Sequence, residues 1–308
     1  MERGKGLKYR LIMGASRVIG LLPEWFVYGC LGRFVTFVLY RLLRYRLKVV
    51  RRNLSRAFPE KSGEELRTIE REFYAQLGEV VVDIIVMTSI SREDMMARMC
   101  IENLAEHFAA SEGRSWVAMM AHYGNWECMG TYGIHDDRVQ VAGVYHPLRD
   151  KAFDDLFYMM RSRFAVLPIR MNDVARFAIR HRDGYEGRPI AYGMIADQRP
   201  PREAEHRMYD FLGVPTAFFM GGEWLARKFA MPVFFMHVDR VGRARYNCNF
   251  ECIYDGVEEV AEGEITRRYV ERLESMIRRA PHLWMWSHRR WKHIDIAEDE
   301  ARAAQNTK

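Results

Sequence analysis

Short apolar runs that alternate with helical patterns are the feature that most constrains the fold of residues 114–292. The apolar runs are SWVAMMA (115–121), VQVAGVY (139–145), FAVLPI (164–169), PIAYGMIA (189–196) and PVFFMHV (232–238). Segments 151–163, 171–182 and 218–230 between them have helical patterns. Strands that are apolar on both faces belong to sheets covered on both sides. This part of the chain is therefore predicted to be α/β, with a mixed, largely parallel central sheet flanked by helices.

Residues 51–113 are predicted to be a helical lead-in to the α/β domain. Ser62 and Glu65 form a capping-box pattern, and the apolar residues after them recur along one helical face. Neither an internal repeat nor a linker-like composition divides the chain beyond residue 50. We therefore assign residues 51–308 to one domain and residues 1–50 to a separate N-terminal segment.

The N-terminal segment combines aromatic side chains with cations. Trp25, Phe26, Phe34 and Phe37 alternate with basic residues, and a basic cluster follows at 44–52. This pattern predicts helices that associate with a membrane surface, with their cations facing lipid headgroups. No run in the chain reaches the ~18 uncharged residues expected of an obvious spanning helix. The alternative is a helical pair packed on the core with a solvated basic face.

Net charge and cysteine usage limit the partners and the compartment. Lys and Arg total 47 against 41 Asp and Glu, which gives a formal net charge of +6 and a sequence pI near 9.1. Nucleic acid, anionic lipid and an acidic protein are all compatible with this charge. The five cysteines are odd in number and contain no CxxC pattern. They predict reduced thiols in a cytosol-facing protein rather than a disulfide framework or a structural zinc site.

The stretch AHYGNWE (121–127) places His122 and Glu127 directly after the first apolar run. In one continuous helix these side chains would point about 140° apart, so a direct contact needs a bend. Gly124 permits the bend, and Asn125 can cap a following helix. With that bend, His122 can act as a general base whose tautomer is fixed by Glu127. The alternatives are a capped turn with a structural histidine and, less favoured by the spacing, a zinc site.

Six blocks of sequence, taken together, carry a family resemblance. They are RRNLSRAFPE (51–60), AHYGNWE (121–127), VYHPLRDKAFDDLFYMMRSRF (144–164), IADQRP (195–200), FLGVPTAFFMGGEWLARKFAMPV (211–233) and HLWMWSHRRWK (282–292). In this order they resemble the bacterial lipid A late acyltransferases, the lauroyl and myristoyl transferases of the lysophospholipid acyltransferase superfamily. The resemblance covers most of the chain, and six ordered blocks coincide by chance far less often than one.

The resemblance implies transfer of a fatty acyl chain from the thioester of acyl carrier protein to a hydroxyl of a lipid A precursor, in lipopolysaccharide biosynthesis. The reaction would take place at the cytoplasmic face of the inner membrane. It implies no metal, no organic cofactor and no nucleic acid as partner. His122 would be the general base and Glu127 its orienting partner, while Asn125 in the same block is assigned to substrate binding.

The resemblance also assigns Arg161, Asp197 and Gln198 to substrate binding. Arg161 stands where the family has a functional arginine, with Arg163 as the competing choice. Arg161 could hold a phosphate or the developing oxyanion of the thioester, or could be a solvated ion-pair partner of nearby acidic residues. Asp197 and Gln198 follow a strand and would shape the site, and the alternative is an ordinary loop start before two prolines.

Departures from the family pattern leave the acceptor open. His146 stands where the family often has an arginine before a proline, and Phe164 is followed by Ala165 rather than by glycine. An aminoacyl lipid or a glycolipid is therefore an alternative acceptor. A further alternative is a non-enzymatic basic protein that binds membrane or nucleic acid. The aromatic and basic tail at 284–292 could contact headgroups, stack on single-stranded nucleic acid, or consist of core tryptophans beside a charged surface turn. We favour a structural role for the tryptophans and a lipid-binding or site-proximal role for the arginines.

Overall fold

A central seven-stranded sheet organises the molecule. The computed structural model describes residues 6–201 and 204–296, and the strands within them are β1 (Met99–Ile101), β2 (Trp116–Met120), β3 (Gln140–Tyr145), β4 (Val166–Arg170), β5 (Ile190–Ile195), β6 (His206–Phe211), β7 (Val214–Phe219), β8 (Val233–Gly242) and β9 (Arg245–Tyr254). The sheet order is β1–β9–β8–β2–β5–β3–β4, and within it β8 and β9 are the antiparallel pair. Strands β6 and β7 form a separate hairpin. The prediction of a mixed, largely parallel sheet is confirmed.

Helices flank this sheet and build the N-terminal third of the chain. They are α1 (Leu7–Gly20), α2 (Glu24–Phe26), α3 (Arg33–Phe37), α4 (Leu47–Ala57), α5 (Gly63–Met87), α6 (Arg92–Arg98), α7 (Leu104–Ser111), α8 (Tyr132–His135), α9 (Lys151–Ser162), α10 (Val174–Arg180), α11 (Gly221–Phe229) and α12 (Glu264–Arg279). Wider helical turns at Val27–Gly32 and Val38–Leu42 make residues 24–42 one irregular helix. The predicted boundary at residue 50 stays a prediction.

The five apolar runs become β2, β3, β4, β5 and β8, and their side chains supply much of the buried core. The segment 218–230, predicted as one helix, instead contains the end of β7 and then α11. Strand β7 pairs with β6 along its whole length, and its residues alternate between buried and partly exposed positions. That cross-strand pairing overrides the helical pattern until Gly221, where α11 begins.

Helix α5 is the long brace between the sheet and the N-terminal helices. Its predicted capping box is confirmed, since Ser62 accepts from the Glu65 N–H and the Glu65 carboxylate accepts from the Ser62 N–H. Gly78 lets α3 approach closely, because a Cβ atom there would lie 2.1 Å from Thr36 Oγ1 and 3.1 Å from the Gly32 carbonyl oxygen. The irregular helix 24–42 is therefore packed directly on α5.

The N-terminal helices have one packed side and one exposed apolar side. Val27 and Tyr28 are buried against Val82 and Val86 of α5. Basic side chains are exposed on these helices, and so are large apolar ones: Leu7, Leu11, Val18, Leu21, Trp25, Phe34, Phe37, Leu42 and Leu43. Within the described residues no single helix is long and apolar enough to cross a membrane, and only α1 and Glu24–Leu42 together, bent by 114°, meet that criterion. Membrane association stays a prediction.

Candidate active site

A groove of about 510 Å³ opens at the carboxyl ends of β2, β3 and β5. This is the edge where open α/β sheets bind their ligands. Its polar lining includes His122, Glu127, Arg161 and Gln198, and the rest of the wall is mainly apolar: Ile84, Trp126, Val144, Tyr145, Leu148, Phe157, Met171, Met194, Ile195 and Phe219. A smaller cavity of about 50 Å³ adjoins it between Met120 and Val166. The groove therefore offers a long apolar surface beside a few polar groups.

The turn after β2 brings His122 to the groove. Strand β2 ends at Met120, and Gly124 has a positive φ of 59°, a conformation that favours glycine. The C-terminal tail holds this turn, because the Gly124 N–H donates to the Leu283 carbonyl at 2.9 Å and the Met285 N–H donates to the His122 carbonyl at 3.0 Å. The predicted bend is confirmed, and it is clamped from the far end of the chain.

His122 is held by Asp197. The distance from His122 Nδ1 to Asp197 Oδ1 is 2.8 Å, and the His122 backbone N–H donates to Asp197 Oδ2 at 3.1 Å. Trp284 Nε1 also donates to Oδ2, at 2.8 Å. Burial alone would raise the pKa of Asp197, but His122 and the Trp284 N–H outweigh it and leave the pKa lowered. An ionised Asp197 fixes the proton on Nδ1, so the lone pair of Nε2 faces the groove.

Glu127 is not the orienting partner of His122, which corrects that prediction. The Glu127 carboxylate instead accepts two hydrogen bonds from Arg161, at 2.8 Å from Nε and 2.6 Å from Nη2. Strand register explains the difference. Met120 and Ile195 are paired on the parallel strands β2 and β5, so His122 and Asp197, each two residues further on, lie side by side. Spacing along one segment could not show a partner that comes from the neighbouring strand.

Arg161 and Arg163 are separated by the structure. Arg161, near the end of α9, pairs with Glu127 and lines the groove. Burial opposes its charge, but Glu127 keeps the pKa of Arg161 above its ordinary value. Arg163 does not line the groove. It donates to the carbonyl oxygens of Met87, the last residue of α5, and of Ile90 just after it. Arg161 is therefore the arginine at the candidate site.

Asn125 does not reach the groove, and its assignment to substrate binding is wrong. It is fully buried, and its Nδ2 donates to Asp83 Oδ2 at 2.7 Å. Its Oδ1 accepts from the Glu127 N–H at 3.2 Å, but Glu127 lies in a turn and the next helical segment is the short 3₁₀ turn Cys128–Thr131, so the predicted helix cap is wrong. Asp83 also accepts from Arg98 at 2.7 Å, and burial raises the pKa of Asp83 despite that cation. Asn125 therefore links the backbone of Glu127 to the buried Asp83.

The last of the six blocks, HLWMWSHRRWK (282–292), packs around the site rather than lining it. The three tryptophans of the tail are buried, and Trp284 reaches Asp197 directly. Arg290 is also buried; it donates to the Ala217 carbonyl at 2.6 Å, and burial lowers its pKa to about 10. Burial likewise lowers the pKa of His288 to about 4. Sequence reasoning missed that Trp284 also donates to Asp197, although its block was among the six that carried the resemblance.

The residue types that line the groove limit the chemistry it can support. Among the described residues that line it there is no Ser, Thr, Cys or Lys side chain that could form an acyl-enzyme. Gln198 lies with its Nε2 3.1 Å from His122 Nε2. No group of three or more His, Cys, Asp and Glu residues within 6–201 and 204–296 could hold a metal ion. What remains is a histidine–aspartate pair that can take a proton from a hydroxyl held beside an apolar surface.

Sequence comparison gives one family and no individual relative. The family model described as bacterial lipid A biosynthesis acyltransferase matches residues 5–293 of the 308-residue chain. This match includes all six blocks and every residue that lines the groove. No curated protein matches the chain in a sequence search.

Proposed function

Because the chain belongs to the family of bacterial lipid A biosynthesis acyltransferases, it is an acyltransferase, and we propose that it acylates a hydroxyl of a lipid A precursor. The acyl donor in this proposal is the thioester of acyl carrier protein. Family membership removes the non-enzymatic alternative. The observation that carries the proposal is the His122–Asp197 pair at the edge of an apolar groove.

His122 acts as the general base in the proposed reaction. Its Nε2 takes the proton of the acceptor hydroxyl as the hydroxyl oxygen attacks the thioester carbonyl carbon. Asp197 holds the other ring nitrogen and stabilises the imidazolium that forms. The C–S bond then breaks, and the proton passes from Nε2 to the leaving sulfur. The absence of Ser, Thr, Cys and Lys from the described lining residues favours this direct transfer.

The Glu127–Arg161 ion pair lies between the groove and the adjoining cavity and borders both. Glu127 occupies Nε and one hydrogen of Nη2, so Arg161 keeps other N–H groups for an anionic oxygen of a substrate. The ring centroids of Tyr145 and Phe157 lie 5.6 Å and 5.3 Å from Cζ of Arg161, and the two rings restrict the position of the guanidinium. In this proposal, Arg161 binds substrate while Glu127 fixes its direction.

Charge and exposed apolar surface support the proposed partners and location. Three exposed arginines lie at the carboxyl ends of the strands that lead to the groove, where they can attract an acidic carrier protein: Arg170 ends β4, and Arg149 and Arg199 follow β3 and β5. The exposed apolar side of the N-terminal helices would enter the interfacial region of a bilayer. Both features support our proposal that the enzyme works at the cytoplasmic face of the inner membrane, where a carrier protein and a lipid acceptor would meet.

Acyl transfer from acyl carrier protein to a lipid A precursor tests the proposal directly. His122→Ala should lower turnover about a hundredfold or more, because a general base contributes at least that much. A matched control is His237→Ala, since His237 Nε2 pairs with Glu251 at 2.8 Å but does not line the groove. Full activity in His122→Ala would refute the proposed base. Transfer by the wild type to an aminoacyl lipid or glycolipid, and not to the lipid A precursor, would replace the acceptor.

A further inference from the structure

Gln198 occupies the reactive nitrogen of His122. The Gln198 Nε2 atom lies 3.1 Å from His122 Nε2. Because Asp197 fixes the imidazole proton on Nδ1, the His122 Nε2 atom can only accept in the neutral state. The Gln198 amide must therefore be the donor, and its N–H points at the lone pair on which general-base chemistry depends.

The acceptor hydroxyl and the Gln198 amide cannot both use this lone pair. His122 is held in place by two hydrogen bonds to Asp197 and by the Met285 N–H on its carbonyl oxygen. Gln198 is half-buried and lines the groove, and its side-chain amide bonds to His122. When a hydroxyl arrives, the side chain that moves is therefore that of Gln198.

We propose that Gln198 is a further catalytic residue, which caps the base in the free enzyme and donates to the thioester oxygen after the acceptor displaces it. This inference rests on the proposed acyl transfer. An amide released from His122 Nε2 stays within a few ångströms of the hydroxyl that replaced it, and so close to the carbonyl under attack. The group that protects the base then becomes a hydrogen-bond donor where negative charge develops.

The step balances without any additional reactant. The hydroxyl oxygen forms a bond to the carbonyl carbon, its proton moves to His122 Nε2, and the carbonyl oxygen becomes anionic and accepts from the Gln198 N–H. When that intermediate collapses, the C–S bond breaks and the Nε2 proton moves to sulfur. His122 is again neutral, and the Gln198 amide can return to its lone pair.

Two measurements on Gln198→Met test this role. Diethyl pyrocarbonate modifies unprotonated imidazole nitrogens, so without substrates the modification of His122, followed by mass spectrometry, should be several-fold faster in the variant. In acyl transfer, kcat should fall about a hundredfold, the usual effect of losing one donor to an oxyanion. The KM for the acceptor should change little. Gln198→Glu keeps the side-chain length but cannot donate as a carboxylate, so its kcat should fall similarly.

The matched control is Gln140→Met, because Gln140 lies at the start of β3, away from the groove, and bonds to Ala165 and Arg188. It should leave both readouts at wild-type values. Unchanged labelling of His122 in Gln198→Met would overturn the cap, and unchanged kcat would overturn the donor role. Gln198→Glu decides the donor role if the methionine variant does not fold. Should the wild type fail to acylate lipid A precursor, the proposed function falls, while labelling still decides the cap.

Discussion

At the scale of single residues, the two carboxylates of the site have separate tasks. The Asp197 carboxylate bonds to the imidazole of His122, whereas the Glu127 carboxylate accepts from the guanidinium of Arg161. Glu127 lines the groove and Asp197 contacts the groove residue His122, so deletion of either side chain would reduce activity and would not tell the tasks apart. Replacing each carboxylate by its amide separates them, because only one replacement changes the tautomer of the base.

Asp197→Asn should be the more damaging replacement. An asparagine amide can donate to Nδ1, which would place the imidazole proton on Nε2 and remove the free base, as in triads where this change lowers kcat by about 10⁴. Glu127→Gln leaves the His122 tautomer in place and should cost less. Single-turnover acyl transfer with both variants measures the difference. A larger loss in Glu127→Gln than in Asp197→Asn, with both folded, would make Glu127 the partner that the sequence predicted.

Sequence reasoning found the site residues better than their contacts. His122, Glu127, Arg161 and Gln198 do line one groove, because each follows or faces a strand end that the apolar runs had located. The partner of His122 was missed since it depends on how β2 and β5 pair, which a pattern within one segment does not contain. Asn125 was misassigned because its partner lies in the distant helix α5.

At the scale of elements, strands with continuous apolar sequence were predictable, whereas β1, β6 and β7 were missed. Strand β1 has three residues, too few for any periodicity, and it exists because it pairs with β9. The β6–β7 hairpin carries partly exposed side chains, and the end of β7, Phe218 and Phe219, fell in the segment predicted as helix. Elements whose stability comes from pairing with distant strands leave little signal in their own residues.

The α3–α5 contact depends on the absence of a side chain at position 78. In Gly78→Ala the new Cβ would meet Thr36 and the Gly32 carbonyl, and forcing the helices apart should lower the free energy of unfolding by about 1–3 kcal/mol. Urea unfolding followed by circular dichroism measures this loss. Gly14→Ala is the control, since nothing lies within 4 Å of its Cβ and alanine favours helix. Equal or higher stability of Gly78→Ala would contradict the close packing.

Helix α7 inserts a histidine into an aromatic cluster, which makes stability depend on pH. His107 stacks on Phe250 with 4.4 Å between ring centroids, and burial lowers its pKa to about 4. Neither ring nitrogen has a hydrogen-bond partner among residues 6–201 and 204–296. The unfolded chain takes up the proton below about pH 6.5 and the folded chain does not, so stability falls as pH drops towards 4. Between pH 7 and 5 this group should account for about 2 kcal/mol of lost stability.

His107→Phe removes this titration and should flatten the profile. Urea unfolding at pH 7 and pH 5 gives the comparison, and the difference between the two pH values cancels any constant packing cost of the larger ring. The exposed His206, changed to phenylalanine, should keep the wild-type dependence. If His107→Phe loses as much stability on acidification as the wild type does, the buried neutral histidine is not the cause.

At the scale of the whole molecule, the order of strands could not be read from the sequence. Alternating strands and helices fix the class of fold, but the order β1–β9–β8–β2–β5–β3–β4 depends on where each crossover returns to the sheet. The N-terminal segment shows the same limit. Its aromatic and basic pattern predicted membrane association, with a helical pair packed on the core as the alternative, and the structure has one side buried on α5 and another exposed.

The exposed side of the N-terminal helices leads to a prediction about the complete enzyme. Phe34 and Phe37 are 62% and 56% exposed on the helix 24–42, a position that stability alone does not explain. If this side enters a bilayer interface, Phe34→Ser/Phe37→Ser should weaken binding to anionic phospholipid vesicles at least about tenfold, because each phenylalanine loses its transfer free energy. Vesicle co-sedimentation measures the binding. The control pair Ile179→Ser/Val257→Ser, 60% and 72% exposed outside these helices, should bind as the wild type does. Equal binding by the phenylalanine variant would leave the exposed side without a membrane role, and the acceptor would then have to reach the groove by another route.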